Sequence, residues 1–307
     1  MKVGFCGSGL FAAICLEHIS CQIRPEWVIT NTPQRAGRGL ALRSTPVQQV
    51  AEKLELPFKT TTKISSDLDL LEWIKENCPD IILVIDFGHL IKEPMLTMPR
   101  YGCINIHPSK LPAYRGSSPM QRAIIDGLKN TAVTIFKLDS GMDTGPILTQ
   151  KNIVIGDKDD FDSLMQTCAS VGSEALLKYI CEMDAKDWVF TKQPSEGVSL
   201  APKIEKSEGK LDWQKTSFEL YNRIRALKQS PGTFCTVFGK RLRIRQAEPI
   251  DKTGEASTIL SLESGMPIVA CLEGALKLIL VQQEGKKEQS ADDWFRGSRL
   301  QIGDKLT

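Results

Sequence analysis

Histidine is scarce: His18, His89 and His107 are the only three in 307 residues. Any reaction that needs an imidazole to carry a proton must choose among them. A strong charge of either sign is also missing. Lys and Arg number 39 against 37 Asp and Glu, a net of +2, which excludes a chain held on nucleic acid by bulk charge alone. No stretch approaches the roughly 18 uninterrupted apolar residues of a membrane span, because the best run, Ile81 to Phe87, is broken by Asp86. Neither a secretory signal nor an Arg- and Ser-rich transit segment opens the chain, so a cytoplasmic protein with no membrane partner is expected. The nine cysteines are odd in number, scattered, and free of any C-x-x-C pair. That excludes a disulfide framework and a zinc knuckle, and no metal is expected.

What is present reads as two domains. Apolar residues at 41% and charged residues at 25% are ordinary for a globular protein. The first half alternates β-rich runs with helical patterns: Val3–Cys6, Trp27–Thr30, Asp80–Asp86 and Cys103–Ile106 as strands, with helices near Leu10–Ile19, Pro46–Leu54 and Leu70–Glu76. Another helix is expected from Ser118–Pro119 to Ile125, then β-type runs at Thr131–Leu138 and Ile147–Ile155 and a long helix over Asp160–Met183. Such alternation predicts an α/β, Rossmann-like sheet wrapped by helices. Periodicity fades from Val189 to Gly209, which reads as a linker. One helix and five short strands punctuated by Gly239, Gly254, Gly265 and Gly274 then suggest a smaller β-rich barrel. The expected boundaries are 1–189, a linker over 190–205, and 206–307.

Charge divides unevenly between the halves. Residues 206–307 hold 17 basic and 13 acidic residues. Their densest cluster is Lys240-Arg241-Leu242-Arg243-Ile244-Arg245, which on a strand puts Arg241, Arg243 and Arg245 on one face. Such a face is either a solvated edge that discourages strand pairing or a surface that tracks phosphates. In the other half, residues 31–45 carry Arg35, Arg38 and Arg43 with no acid. Fifteen residues without evident secondary structure suit a surface loop or a basic finger that closes on nucleic acid.

Two motifs point to chemistry. Gly7-Ser8-Gly9-Leu10-Phe11-Ala12 follows a strand and opens a helix, as a dinucleotide fingerprint does. The second strand, however, ends Ile29-Thr30-Asn31 without the carboxylate that would hold a ribose, so a tight turn with close helix–strand packing explains it better. The second motif is Gly102 to Gly116. Its strand delivers Asn105 and His107 at i and i+2, hence on one face, at a carboxyl end where open α/β sheets place ligands. Some thirty residues later Asp143 stands in a tight loop between Gly141 and Gly145. Asn, His and Asp around one cleft suit acyl-type transfer: the amide stabilises a tetrahedral oxyanion and the carboxylate orients the imidazole. No Ser or Cys nucleophile is evident, so direct attack by an acceptor amine is expected. His18 reads as a surface position and His89 as a pocket-lining candidate.

The run Asn105–Gly116, continued by Pro119–Ile124 and completed by the G-x-D-T-G of Gly141–Gly145, resembles the folate-dependent formyltransferase family. The resemblance implies that Asn105, His107 and Asp143 are catalytic and that 10-formyltetrahydrofolate is the co-substrate. It assigns Ser109, Lys110, Leu111 and Pro112 to folate contact. It also assigns Phe87, Gly88, His89, Leu90 and Ile91, with Leu138 and Met142, to a pterin pocket. Within the family the likeness is to members that act on initiator methionyl-tRNA in translation initiation. Ala36-Gly37-Arg38-Gly39 is similar to their tRNA-reaching finger, and the tail from Glu284 to Asp304 is similar to their OB-like C-terminal barrel. That gives Arg35, Arg38, Arg43, Lys240, Arg241, Arg243 and Arg245 a tRNA-binding role, in a monomer. Two places depart from the pattern, Gly7-Ser8-Gly9 and Lys228–Gly232. A sugar-nucleotide N-formyltransferase would use the same three catalytic residues without needing the basic ones.

Overall fold

The computed structural model describes residues 1–36, 41–182 and 187–307. They divide into two compact units, the first comprising Met1–Pro119, Asn130–Val154 and Ser163–Ala201, the second Met120–Lys129, Ile155–Asp162 and Pro202–Thr307.

The first unit is built on seven strands: β1 (Val3–Gly7), β2 (Trp27–Asn31), β5 (Phe58–Thr61), β6 (Ile81–Ile85), β7 (Cys103–His107), β8 (Asn130–Lys137) and β9 (Ile147–Val154). Their order is β5-β2-β1-β6-β7-β8-β9, parallel as far as β7 and antiparallel beyond it. The α/β sheet is therefore mixed. Strands β1 and β6 are buried along their whole length, as expected for central strands covered on both faces. Helices α1 (Leu10–Ser20), α2 (Pro46–Lys53), α3 (Leu68–Glu76) and α5 (Phe161–Glu182) belong to the same layers. Thr45 caps α2 through Gln48 N at 3.0 Å, with Pro46 in the first turn, so the sequence signals for that start are satisfied. Helix α5 packs so close that a Cβ on Gly172 would lie 2.6 Å from Ile106 Cγ2. Ile106 is thus pinned on one face of β7, which leaves the opposite face to its neighbours Asn105 and His107.

Two expectations are corrected here. Residues 31–45 are not a structureless loop: β3 (Gln34–Ala36) and β4 (Ala41–Arg43) pair antiparallel, Gln34 opposite Arg43. Strands of three residues each are too short to show a period-two pattern, which concealed the pairing. Nor is the stretch after 189 a linker throughout. Thr191 bridges to Ile147 and Leu200 to Arg115, while Gln193 and Ala201 are buried. Its order comes from backbone pairing and one amide, neither of which leaves a hydrophobic period.

The second unit carries β10 (Thr233–Val237), β11 (Lys240–Ile250), β12 (Ile259–Glu263), β13 (Met266–Ala270), β14 (Ala275–Gln283) and β15 (Gln289–Ser290) in one antiparallel sheet. Helices α4 (Pro119–Ile125), α6 (Ser217–Ala226) and α7 (Ala291–Arg296) complete the helical set. Leu242, Ile244, Ala247, Leu276, Leu278 and Trp294 are buried in one core. The C-terminal tail bonds both edges, Asp304 O accepting from Ile259 N at 2.8 Å and Thr307 N donating to Thr236 O at 2.9 Å. Segments 120–129 and 155–162 join this unit through polar anchors. Arg122 forks onto Glu208 at 2.6 and 2.9 Å, and Arg225 donates to the carbonyls of Gly156 at 3.1 Å and Asp159 at 2.6 Å.

Candidate active site

The site is assembled on the face of β7 that carries Asn105 and His107. Phe136 and Thr134 of β8 pair with Asn105 and His107, so both side chains stand beside a buried strand that fixes their height above the sheet. His107 is only 5% exposed. Its Nε2 lies 3.0 Å from the carbonyl of Tyr114, which can only accept, so Nε2 carries the proton of that bond. Nδ1 then faces Asp143, whose Oδ2 is 3.8 Å away.

The loop carrying Asp143 leaves β8 beside the start of β7, where Leu138 N donates to Cys103 O at 2.8 Å, and runs back along the face to His107. Asp143 is thereby brought to His107, the last residue of β7, at the carboxyl end of the strand. Asp139 holds the loop's first turn, accepting from Gly141 N at 3.0 Å and Thr144 Oγ1 at 2.6 Å. Asp143 itself is left-handed, at φ 55°, and its carboxylate accepts from Gly116 N at 2.8 Å. That conformation costs about 1 kcal/mol or more for a residue other than glycine, and the surrounding bonds hold it.

Gln193 is what holds it, and nothing in the sequence marked this residue. Its Nε2 donates to the carbonyls of Asp143 at 2.9 Å and Gly145 at 2.8 Å, while Oε1 accepts from Arg115 Nη2 at 2.6 Å. A second overlooked residue is Asp86, at the end of β6. The sheet order reverses between β1 and β6, and crevices at such points take ligands. Asp86 keeps access to solvent on one side. Its carboxylate lies so near Gly9, at the start of α1, that a Cβ there would overlap it. Desolvation by the surrounding protein pushes the carboxyl up to about 6. A carboxylate ending an apolar strand beside a glycine turn was the available signal.

The expected folate residues are dispersed in character. Ser109 and Leu111 are turned inward: Ser109 Oγ donates to Ala113 O at 2.7 Å, and Leu111 is 2% exposed. Thr134 and Gln150 tie their backbone, so the side chains of Lys110 and Pro112 have the accessible surface of that run. Phe87 and Ile91 are buried, Gly88 and Leu90 are exposed, and His89 Nε2 lies 2.6 Å from Asn31 Oδ1. Burial lowers the His89 pKa, which favours its neutral ring. Met142 is exposed, and Leu138 lines a cavity of about 340 Å³ with Glu93, Arg100 and Lys137. Cys103, two residues before Asn105, is pushed up to about 12 by burial and offers no thiolate. Among the described residues no group of three or more His, Cys, Asp or Glu is placed to hold a metal ion.

The basic residues are unequal. Arg38 lies outside the described residues, and of Arg35 only the backbone is described, in β3. Arg43 and Lys240 are exposed. Arg241 stacks over Phe234 at 3.8 Å, and Arg243 is half-buried opposite the same residue. Arg245 already has an anion: it bonds Glu288 at 2.8 Å and the Lys228 carbonyl at 2.9 Å. The face is therefore not three free guanidinium groups, since one is neutralised within the unit.

Two family models match the chain, formyl transferase over residues 6–180 and formyl transferase, C-terminal domain, over residues 203–299. A methionyl-tRNA formyltransferase of Rickettsia rickettsii is 34% identical, covering 98% of each chain. That of Halothermothrix orenii is 36% identical over the whole of both. In fold the chain is similar to the N-formyltransferase of Helicobacter canadensis in complex with folinic acid and dTDP-3-aminofucose. That match has a TM-score of 0.67 and 20% identity, and covers 92% of this chain and 99% of the other. With both models matched in order along nearly its full length, the chain belongs to the formyl transferase family.

Proposed function

We propose that this protein transfers the formyl group of 10-formyltetrahydrofolate to the α-amine of initiator methionyl-tRNA. The observation that carries the reading is the His107–Asp143 pair, 3.8 Å apart beside Asn105, in a chain alike over its full length to methionyl-tRNA formyltransferases. The neutral amine attacks the formyl carbon and Asn105 donates to the developing oxyanion. With Nε2–H committed to Tyr114, Nδ1 and the Asp143 carboxylate face each other as two acceptors, a place that takes one proton. The attacking nitrogen gives its proton there. The C–N10 bond of the folate breaks, and N10 leaves with the proton that Nδ1 returns. One amide forms, one breaks, and no nucleophilic side chain is required.

A nucleotide-sugar acceptor fits the same three residues. The acid-free run of residues 31–45, with Arg35, Arg38 and Arg43 in its sequence, and the exposed Lys240 favour an RNA acceptor. The test supplies 10-formyltetrahydrofolate with charged initiator tRNA, charged elongator methionyl-tRNA and a dTDP-amino sugar in parallel. Formylation of the initiator tRNA above both others is expected. Formylation of the sugar alone overturns the tRNA reading.

A further inference from the structure

The second unit contains a cleft of about 270 Å³ that the chemistry above does not use. Its walls include Phe238, Lys240, Lys286, Asp293, Trp294 and Arg299. The three cations are exposed, and no hydrogen bond or ion pair engages their side chains among the described residues. The acid on the wall is already spent, because Asp293 accepts from Ser290 Oγ at 2.8 Å and Arg296 Nη2 at 2.6 Å. Unpaired like charges around one concavity repel each other and make it a site for an anion.

Phe238 adds the second half. Val237 pairs with Lys240, so Phe238-Gly239 is a two-residue hairpin loop. Both residues have positive φ, 47° and 73°, the conformation that Asn-Gly adopts without cost. A phenylalanine in the asparagine place strains the backbone and leaves its ring 71% exposed. An exposed ring flanked by free cations is the arrangement that binds single-stranded nucleic acid, base on ring and phosphates on the charges.

We propose that this cleft is a site for an unpaired nucleotide of an RNA strand, with the base stacked on Phe238 and its phosphates held by Lys240, Lys286 and Arg299. The site deepens the tRNA reading and rests on it for the identity of the RNA. The cleft volume, just below the about 300–1,000 Å³ of drug-sized pockets, suits one nucleotide better than a duplex.

The test measures binding of fluorescein-labelled oligouridylate of twelve residues, and of deacylated tRNA, to the full chain as a function of salt. Phe238→Ala should weaken oligouridylate binding about 5- to 150-fold and Phe238→Trp should restore it. Lys240→Gln should lower the salt slope by about 0.7. Phe238→Asn, which relieves the turn, should raise the melting temperature while losing binding, and so separates stacking from folding. Equal affinity in Phe238→Ala, or failure of tryptophan to restore it, overturns the proposal. Formyl transfer to methionyl-tRNA by the parent protein is assayed alongside. Transfer without any Phe238 effect removes this site alone, and a Phe238 effect without transfer removes the catalytic reading alone.

Discussion

Replacing Gln193 with leucine tests how the Asp143 carboxylate is held and whether its position matters to the reaction. Leucine keeps most of the volume at this buried position, which is 7% exposed, and deletes every polar contact. Two donated bonds disappear, to Asp143 O at 2.9 Å and Gly145 O at 2.8 Å, together with the acceptor for Arg115. Each neutral bond contributes about 0.5–1.5 kcal/mol net, and a buried carbonyl left without a partner costs about 1–3 kcal/mol. Arg115 is half-exposed and regains water, so the whole comes to about 2–4 kcal/mol of stability. The same carbonyls bracket Asp143, whose left-handed backbone relaxes once they are released. A displacement of about 1 Å at a reacting group costs on the order of 10²-fold in rate. Gln193→Leu should therefore lower kcat for formyl transfer about 100-fold with the KM for 10-formyltetrahydrofolate little changed, measured alongside a thermal melt. Glutamate at 193 keeps the acceptor for Arg115 but turns an oxygen toward the two carbonyls, so it should be as slow as leucine. A melting temperature that falls while kcat stays within threefold of the parent refutes the positioning argument.

Two further outcomes follow from the site. Asn105→Ala should lower kcat about 10²- to 10³-fold, the usual cost of one oxyanion donor, with folate binding by fluorescence titration retained; unchanged turnover removes Asn105 from the mechanism. Asp86 has a folded pKa of about 6, raised by desolvation above its ordinary 3.8, so its ionised form opposes folding at neutral pH and its protonated form does not. Asp86→Asn should raise the melting temperature at pH 7.5, the gain shrinking as pH falls through 6 and vanishing below about 4. A gain independent of pH would locate the effect elsewhere.

Part of the placement of these residues was legible because it rests on regular, short-range patterns. Asn105 and His107 share a face by the period of a strand, and Asp143 between two glycines announces a tight turn. The smaller β-rich half was legible from its glycine spacing. Gln193 was not, since a single buried amide leaves no period and its partners are 48 and 50 residues away. The β3–β4 pairing was missed because strands of three residues carry too few positions to show a period of two. The inward turn of Ser109 and Leu111 was equally hidden, since motif membership does not say which side chains the fold consumes for its own hydrogen bonds and packing.

By itself the amino-acid order determined most of the elements, which of their faces are apolar, and which residue types suit acyl-type transfer. Those are properties of neighbours along the chain, set by backbone geometry and by the chemistry of each side chain. Tertiary structure decided that the Asp143 loop returns along β7 to meet His107, that Gln193 clamps it, and that Arg245 is spent on Glu288 while Lys240, Lys286 and Arg299 have no side-chain partner among the described residues. Charge pairing and the approach of distant segments depend on how the chain is packed in three dimensions, and no local pattern encodes that.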